Sequence, residues 1–443
     1  MKSMTRRRWW RPRFSLRTLL IMVTLLSGVC AFLGYHWNRI STKRAIVAQI
    51  ESVGGSVTYS YEFGSGREVT ETILRLDHWE TTGYLEGNPA TRTRITPEGT
   101  FYEIETPPGS SFIRKWLGDD VYAEVDSVSF TNIFFVPPEP IAPSVLLKIP
   151  RLKSATLAFD QVSDEWLVTL AKVPELRAVG LFGADKGTLT AEGLASLCNA
   201  KDLKRLIISG EWLCDDTLRG LAELPQLTSL TLMDAPKITP AAWASIGQLS
   251  ELKELRVISM PCDVQSLKHL QGLKKLKNLE LLEVPVTDDC LKQLEDLQSL
   301  EIVCVGDKKA EIGDEGVKSL AKLKNLVRLK LYGSHDGDEG AAEISKLKKL
   351  KFLSLGNGVT DDSLPFLGQM TQLEELQLSP SKVTDAGLIH LHGLSNLKQL
   401  WLGPLPTKGD VDKLKQAIPK CKIVCYDERG RSYYSPWIPG GGN

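Results

Sequence analysis

The sequence lacks charge bias, metal-ligand spacing and the common catalytic signatures. Lys plus Arg number 54 and Asp plus Glu number 54 in 443 residues, so bulk charge gives no reason to expect nucleic acid or an acidic partner. No GxxxxGK loop, GxSxG elbow or HExxH occurs, which removes phosphate-cradling, serine-nucleophile and zinc-protease readings. The histidines, His36, His78, His269, His335, His390 and His392, are few and mostly far apart. Eight cysteines include no paired CxxC, so a zinc site is not expected. Setting aside Cys30 in an apolar run leaves an odd number in scattered contexts, which suits no disulfide framework. Cys421 and Cys425 would stand about 13 Å apart in an extended segment, too far to bridge each other. Buried free thiols are the expectation, and a bridge to another segment stays open in an oxidising compartment. Neither catalysis nor a cofactor is expected.

What is present begins with an asymmetric N-terminus. Lys2, Arg6, Arg7, Arg8, Arg11, Arg13 and Arg17 precede a charge-free run from Thr18 to Asn38. About 20 apolar residues is the length of one helical membrane crossing, and Trp9, Trp10, Tyr35 and Trp37 flank it as interfacial aromatics do. The excess of basic residues before the run predicts a cytoplasmic N-terminus, with everything after about Lys43 exported as a periplasmic or extracellular part. The rival reading is a cleaved secretory signal. Against it, the run exceeds the usual core of about 7 to 15 residues and no small-x-small site closes it. A lipid-modified Cys30 fits less well, because Val29 and Ser27 stand where small residues and Leu are wanted.

From Leu152 the chain returns to one phrase. Starting leucines fall at Leu152, Leu176, Leu203, Leu227, Leu252, Leu276, Leu300, Leu326, Leu350, Leu373 and Leu397, a near-constant period that marks a repeat architecture. Each unit opens L-x-x-L-x-L, as in Leu227, Leu230 and Leu232, which is the alternation of a strand with one buried face. Apolar residues at three-residue steps follow, as in Leu388, Leu391 and Leu394, and predict a short helix. One unit cannot bury both faces, so neighbours must stack. Ser163, Thr239, Thr287, Thr360 and Thr384 form a column of helix caps. The next column, Asp164, Pro240, Asp288, Asp361 and Asp385, suits the first helical position and the positive end of the helix dipole.

This phrase resembles the leucine-rich repeats of the ribonuclease-inhibitor-like and cysteine-containing subtypes. Val383, Thr384, Asp385, Gly387, Leu388, Leu391, Leu394, Leu397, Leu400 and Leu402 match it position by position, and the likeness runs from Leu152 to Ile423. The resemblance implies an α/β solenoid, a horseshoe with parallel strands on its concave side and short helices on its convex side. A basic N-terminus, FSLRTLL opening a single span and VTDAGL-type repeats are similar to bacterial single-span leucine-rich-repeat proteins. The expected organisation is a basic cytoplasmic stretch 1–17, a membrane helix 18–38, a juxtamembrane and cap region 39–124, a solenoid 125–425 and a tail 426–443. Within the cap, Ala45 to Gly54 reads as a helix, and SVTYSYEF and GTFYEIET read as strands. Irregular units at Leu176, Leu252 and Leu300 are read as loops on one edge.

With chemistry excluded and the stretch ahead of the span too short to bury a core, a binding surface remains. The column after the third leucine position holds Phe182, Met233, Ile258, Leu282 and Tyr332. Adjoining columns add Arg205, Ile207, Arg256, Arg328, Lys330, Phe352 and Trp401. Apolar residues with arginine at the rim have the composition of interface cores, so the expected partner is another protein, alongside a lipid bilayer through 18–38 and no nucleic acid. Two rivals stand beside this: these side chains pack on one another and bind nothing, or the protein is a structural component of the cell envelope with no specific protein ligand. Acids gather where strands run into helices and lysines where helices run into strands, which predicts an acidic and a basic edge. A polyanion on the basic edge would bind in a steeply salt-dependent way. His390 and His392 are read as solvated, on different sides of a convex helix, and not as metal ligands.

Overall fold

The computed structural model describes residues 37–52, 56–59, 94–95, 101–102, 125–130, 142–149, 151–158, 163–183, 189–307, 310–335, 337–378, 381–403, 408–426 and 432–434, with Thr24 and Ser27. The expected membrane helix 18–38 lies almost wholly outside them. Among the described residues no helix is long and apolar enough to cross a membrane.

The strands are β1 (Ser56–Tyr59), β2 (Arg94–Ile95), β3 (Phe101–Tyr102), β4 (Val125–Phe130), β5 (Ser154–Ala158), β6 (Ala178–Phe182), β7 (Arg205–Ser209), β8 (Ser229–Met233), β9 (Glu254–Ile258), β10 (Asn278–Leu282), β11 (Ile302–Gly306), β12 (Arg328–Tyr332), β13 (Phe352–Ser354), β14 (Glu375–Leu378), β15 (Gln399–Leu402), β16 (Lys422–Tyr426) and β17 (Ser432–Tyr434). From β4 to β16 they pair in chain order and in parallel. β1 and β17 close the ends antiparallel, on β4 and β16. A helix over residues 37–51 adds buried Ile46 and Ile50 at the first end, longer than the segment expected from Ala45.

Parallel order follows from the repeat. Each strand leaves through a connecting segment on one side and returns one sheet position on, and the leucines fix the register. In β10, Leu279 and Leu281 face the helices and are fully buried, while Asn278, Glu280 and Leu282 are half-exposed. The same alternation recurs in β9 and β12. One continuous core lies between sheet and helices, as stacking requires, because each unit buries its apolar face only against its neighbours.

The connecting segments are short and mixed. Asp164–Leu170, Pro240–Ile246 and Asp314–Leu320 are α-helices of 7 residues, while Gly387–Gly393 is 3-10 throughout. The α-helix expected from Asp385 is therefore replaced by a turn and a 3-10 segment. A 3-10 helix rises about 2.0 Å per residue against about 1.5 Å for an α-helix, yet the same number of residues leads from Thr384 to Leu397 as from Thr287 to Leu300.

The hydroxyl column caps its helices only in part. Thr239 accepts from the Ala241 N–H and Thr360 from the Asp362 N–H, whereas Ser163 and Thr287 make no side-chain cap. The aspartate column begins helices as expected, at Asp164 and Asp288, and also bonds to the following unit. The Asp164, Asp215 and Asp361 carboxylates accept from both the N–H and the hydroxyl of Thr190, Thr239 and Thr384, one unit further on, at 2.5 to 2.9 Å. Asp314 accepts from the Gly337 and Gly340 N–H groups at 2.7 and 2.9 Å. These carboxylates fasten successive units together.

Candidate binding surface

Because alternate strand residues point away from the helices, β4 to β16 carry three outward columns on the open face. The first runs Arg205, Ser229, Glu254, Asn278, Ile302, Arg328, Phe352, Glu375, Gln399. The middle one runs Ile207, Thr231, Arg256, Glu280, Cys304, Lys330, Ser354, Gln377, Trp401 along the same strands. The last holds Phe182, Ser209, Met233, Ile258, Leu282, Gly306 and Tyr332. Side chains in one column on adjacent strands stand about 4.8 Å apart.

All the expected surface residues therefore lie on one face, with unequal exposure. Tyr332 is 37% exposed, while Met233 at 8% and Phe352 at 7% are buried. Phe182, Ile258, Leu282 and Trp401 are half-buried. The apolar column is not a continuous stripe: Ser209 interrupts it between Phe182 and Met233, and Gly306 between Leu282 and Tyr332.

The cations on this face are held in two ways. Arg256 pairs with Glu280 on the next strand at 2.7 Å, both largely covered, and Arg205 lies 3.7 Å from Glu254 and donates to the Ser229 hydroxyl. Further along, the Arg328 guanidinium sits over the Phe352 ring at 4.2 Å and the Lys330 ammonium over the Tyr332 ring at 4.5 Å. A ring face attracts a cation electrostatically without cancelling its charge. Glu280 was missed from sequence because its signal, an acid one repeat after an arginine in the same column, appears only once the register is fixed.

A rail follows β8, β9 and β10. Asp234, Ser259 and Glu283 have φ of 54°, 53° and 54°, where Gly183 and Gly333 occupy the matching places with 69° and 64°. The Ser259 hydroxyl donates to the Glu283 carboxylate at 2.5 Å and the Ser209 hydroxyl to Asp234 at 3.1 Å. Left-handed backbone costs about 1 to 2 kcal/mol at a residue with a Cβ.

The expected basic edge is instead a mixed one. Lys275 pairs with Glu251, Lys277 with Glu301, Lys322 with Glu295 and Lys346 with Glu343. Glu374 bridges Lys351 and Lys398 at 2.8 and 2.5 Å, and their hydrogen bonds pull its pKa down to about 2. The acids come from the same repeat boundary, so charge there is locally compensated. Elsewhere, His390 is exposed and His392 half-buried on the 3-10 segment.

Parallel strands in chain order, one per repeat unit, with leucines buried under short helices, decide the architecture. The fold is a leucine-rich-repeat solenoid. No protein-family model and no curated sequence matches the chain. Among solved structures it is similar to an internalin from Listeria monocytogenes, at 18% identity and TM-score 0.44, over 62% of this chain and 81% of that one. A leucine-rich-repeat protein of Leptospira interrogans matches at 17% identity and TM-score 0.29, over 62% of this chain and 90% of that one. The structure of a TLR13–ssRNA13 complex matches at 18% identity and TM-score 0.38, over 63% of this chain and 47% of that one.

Proposed function

We propose that this leucine-rich-repeat solenoid is a non-catalytic recognition module that binds another protein on the open face of its sheet. The observation that carries the reading is the composition of that face from β8 to β13. Half-buried Ile258 and Leu282 and exposed Tyr332 lie beside arginines and a lysine that neighbouring side chains hold in place. Apolar anchors with aromatic residues and arginine at the edge are what protein interfaces are rich in. The rail after β8 to β10 adds a fixed border to one side of the patch.

The same reading anchors the module by residues 18–38 with the solenoid outside the cytoplasm. It is supported by the charge-free run and by the cluster of basic residues ahead of it. Protease protection of membrane vesicles tests the orientation, and digestion of the solenoid from the cytoplasmic side alone would reverse it.

Binding is tested by comparing the proteins that co-purify with the wild type and with a variant carrying Ile258→Asp, Leu282→Asp and Tyr332→Asp. All three positions point away from the core, so circular dichroism should be unchanged. Loss of specific partners is expected, and an identical partner set would sink the reading.

A further inference from the structure

The two halves of the open face differ in how their cations are satisfied. On β7 to β10, Arg205 stands by Glu254 and Arg256 by Glu280. On β12, among the described residues, neither Arg328 nor Lys330 makes an ion pair, and both lie instead over aromatic rings. Both side chains are half-buried, so part of their hydration is removed.

Beside them the sheet is notched. β13 has three residues, and its pairing with β12 ends at Ser354. Beyond that point the Leu355 N–H keeps the ordinary ladder bond to the Gln377 carbonyl on β14, while the Asn357 N–H goes to the Ser334 carbonyl of the preceding unit, both at 3.2 Å. The notch leaves a cleft of about 140 Å³ lined by Lys330, Tyr332, Ser354, Asn357 and Gln377. It has room for one side chain, with an ammonium, hydroxyls and amides on its walls.

We propose that Arg328, Lys330 and this cleft are the anchor of the surface and take the carboxylates of an acidic segment in the partner protein. The inference rests on the protein-recognition reading and names the chemistry of the partner. Charge complementarity carries it. Rings that hold the two cations in place reduce the rotamer freedom lost on binding. Partial burial strengthens the attraction to an incoming anion, and Tyr332 supplies an apolar wall for the stem of a Glu or an aromatic neighbour.

The surroundings favour a short cluster of negative charge over an extended polyanion. Glu280 lies two strands from Lys330 and Glu375 two strands from Arg328, each about 10 Å away, on either side. A nucleic-acid backbone running across the strands would meet those carboxylates, whereas an acidic peptide seated on β12 and β13 would not.

The test uses the full chain in detergent and fluorescence anisotropy with three labelled probes. These are a peptide rich in Glu and Asp around one Tyr, the same peptide with Gln and Asn in place of the acids, and a single-stranded RNA. The acidic peptide should bind at least about tenfold tighter than its amide counterpart, and weaken as salt rises. Arg328→Ala with Lys330→Ala should lose about tenfold or more, Lys330→Arg should retain most of the binding, and Lys348→Ala on the edge should change nothing. Thermal melts check that each variant folds, and Arg328→Gln serves where the alanine does not. Equal binding of the acidic and amide peptides, indifference to the double variant, or tighter binding of RNA overturns the inference. If native partners are still lost in the triple Asp variant while the acidic peptide ignores Arg328 and Lys330, this inference falls and the protein-recognition reading stands.

Discussion

Replacing Asp338 tests whether the aspartate column fastens the units or only starts helices. Its carboxylate accepts from the Thr360 N–H at 3.1 Å, the Thr360 hydroxyl at 2.8 Å and the Ser363 hydroxyl. Net hydrogen bonds to a charged group contribute about 1.5 to 3 kcal/mol each. The site is half-exposed and the two hydroxyls can turn to water, so the backbone bond keeps most of its value and the others little. Asp338→Ala should therefore cost about 2 to 4 kcal/mol and Asp338→Asn about 1 to 2 kcal/mol. Burial works to raise the Asp338 pKa, but the bonds from Ser363 and Thr360 outweigh it and hold it below the ordinary value of 3.8. A carboxylate with a depressed folded pKa stabilises above its unfolded value and loses that contribution as pH falls through the folded one. The Asn variant's deficit in urea unfolding should thus be full near neutrality and shrink below pH 3.8 as wild type is protonated. Hydrogen exchange should speed first around residues 356–370, where the acceptor is lost. An equal deficit in acid and at neutrality, or exchange that changes only at residues 338–344, would refute the fastening role.

Other outcomes follow from the same geometry. A Cβ at Gly387 would meet the Asp361 carboxylate at 2.3 Å and Leu364 at 2.6 Å, so Gly387→Ala should lower the melting temperature although alanine is the better helix former. Leu281→Ala, in the core, should cost about 2 to 5 kcal/mol by urea unfolding, while Leu282→Ala, next along the chain but half-exposed, should cost less than about 1 kcal/mol. Equal losses at Leu281 and Leu282 would mean the strand register is wrong. Burial pushes the Cys421 thiol up to about 12 and the Cys425 thiol up to about 11. Iodoacetamide at mildly alkaline pH should therefore label exposed Cys198 in the native protein and reach Cys421 and Cys425 only after unfolding.

The repeat made the fold legible because it is written twice, as a leucine period and as an alternation within each strand. Leu279 and Leu281 had to share a face, and their equivalents one unit on, Val303 and Val305, had to sit beside them. The connecting segments were less legible. Asp385 carries the same Thr-Asp signature as Asp288, yet an α-helix starts at Asp288 and a 3-10 segment follows Asp385. The Thr-Asp signature itself does not distinguish the two. The aspartates were half legible: an acid in the first turn suits the helix dipole, and only the stacking of units reveals the bond from a threonine N–H one unit on.

The outward positions of the open face were legible as a list and illegible as a pattern of charge. Arg256 and Lys330 occupy the same column and are alike in sequence, but Glu280 follows Arg256 on the next strand while Ser354 follows Lys330. A periodic scaffold makes every outward position structurally equivalent, so what distinguishes one is its neighbour about a repeat away. Residues kept in phase are explained by stacking alone. Those that break the phase, the short β13, Gly306 in the apolar column and the ring-held cations on β12, are what stacking alone does not explain, and the proposed recognition is placed there for that reason.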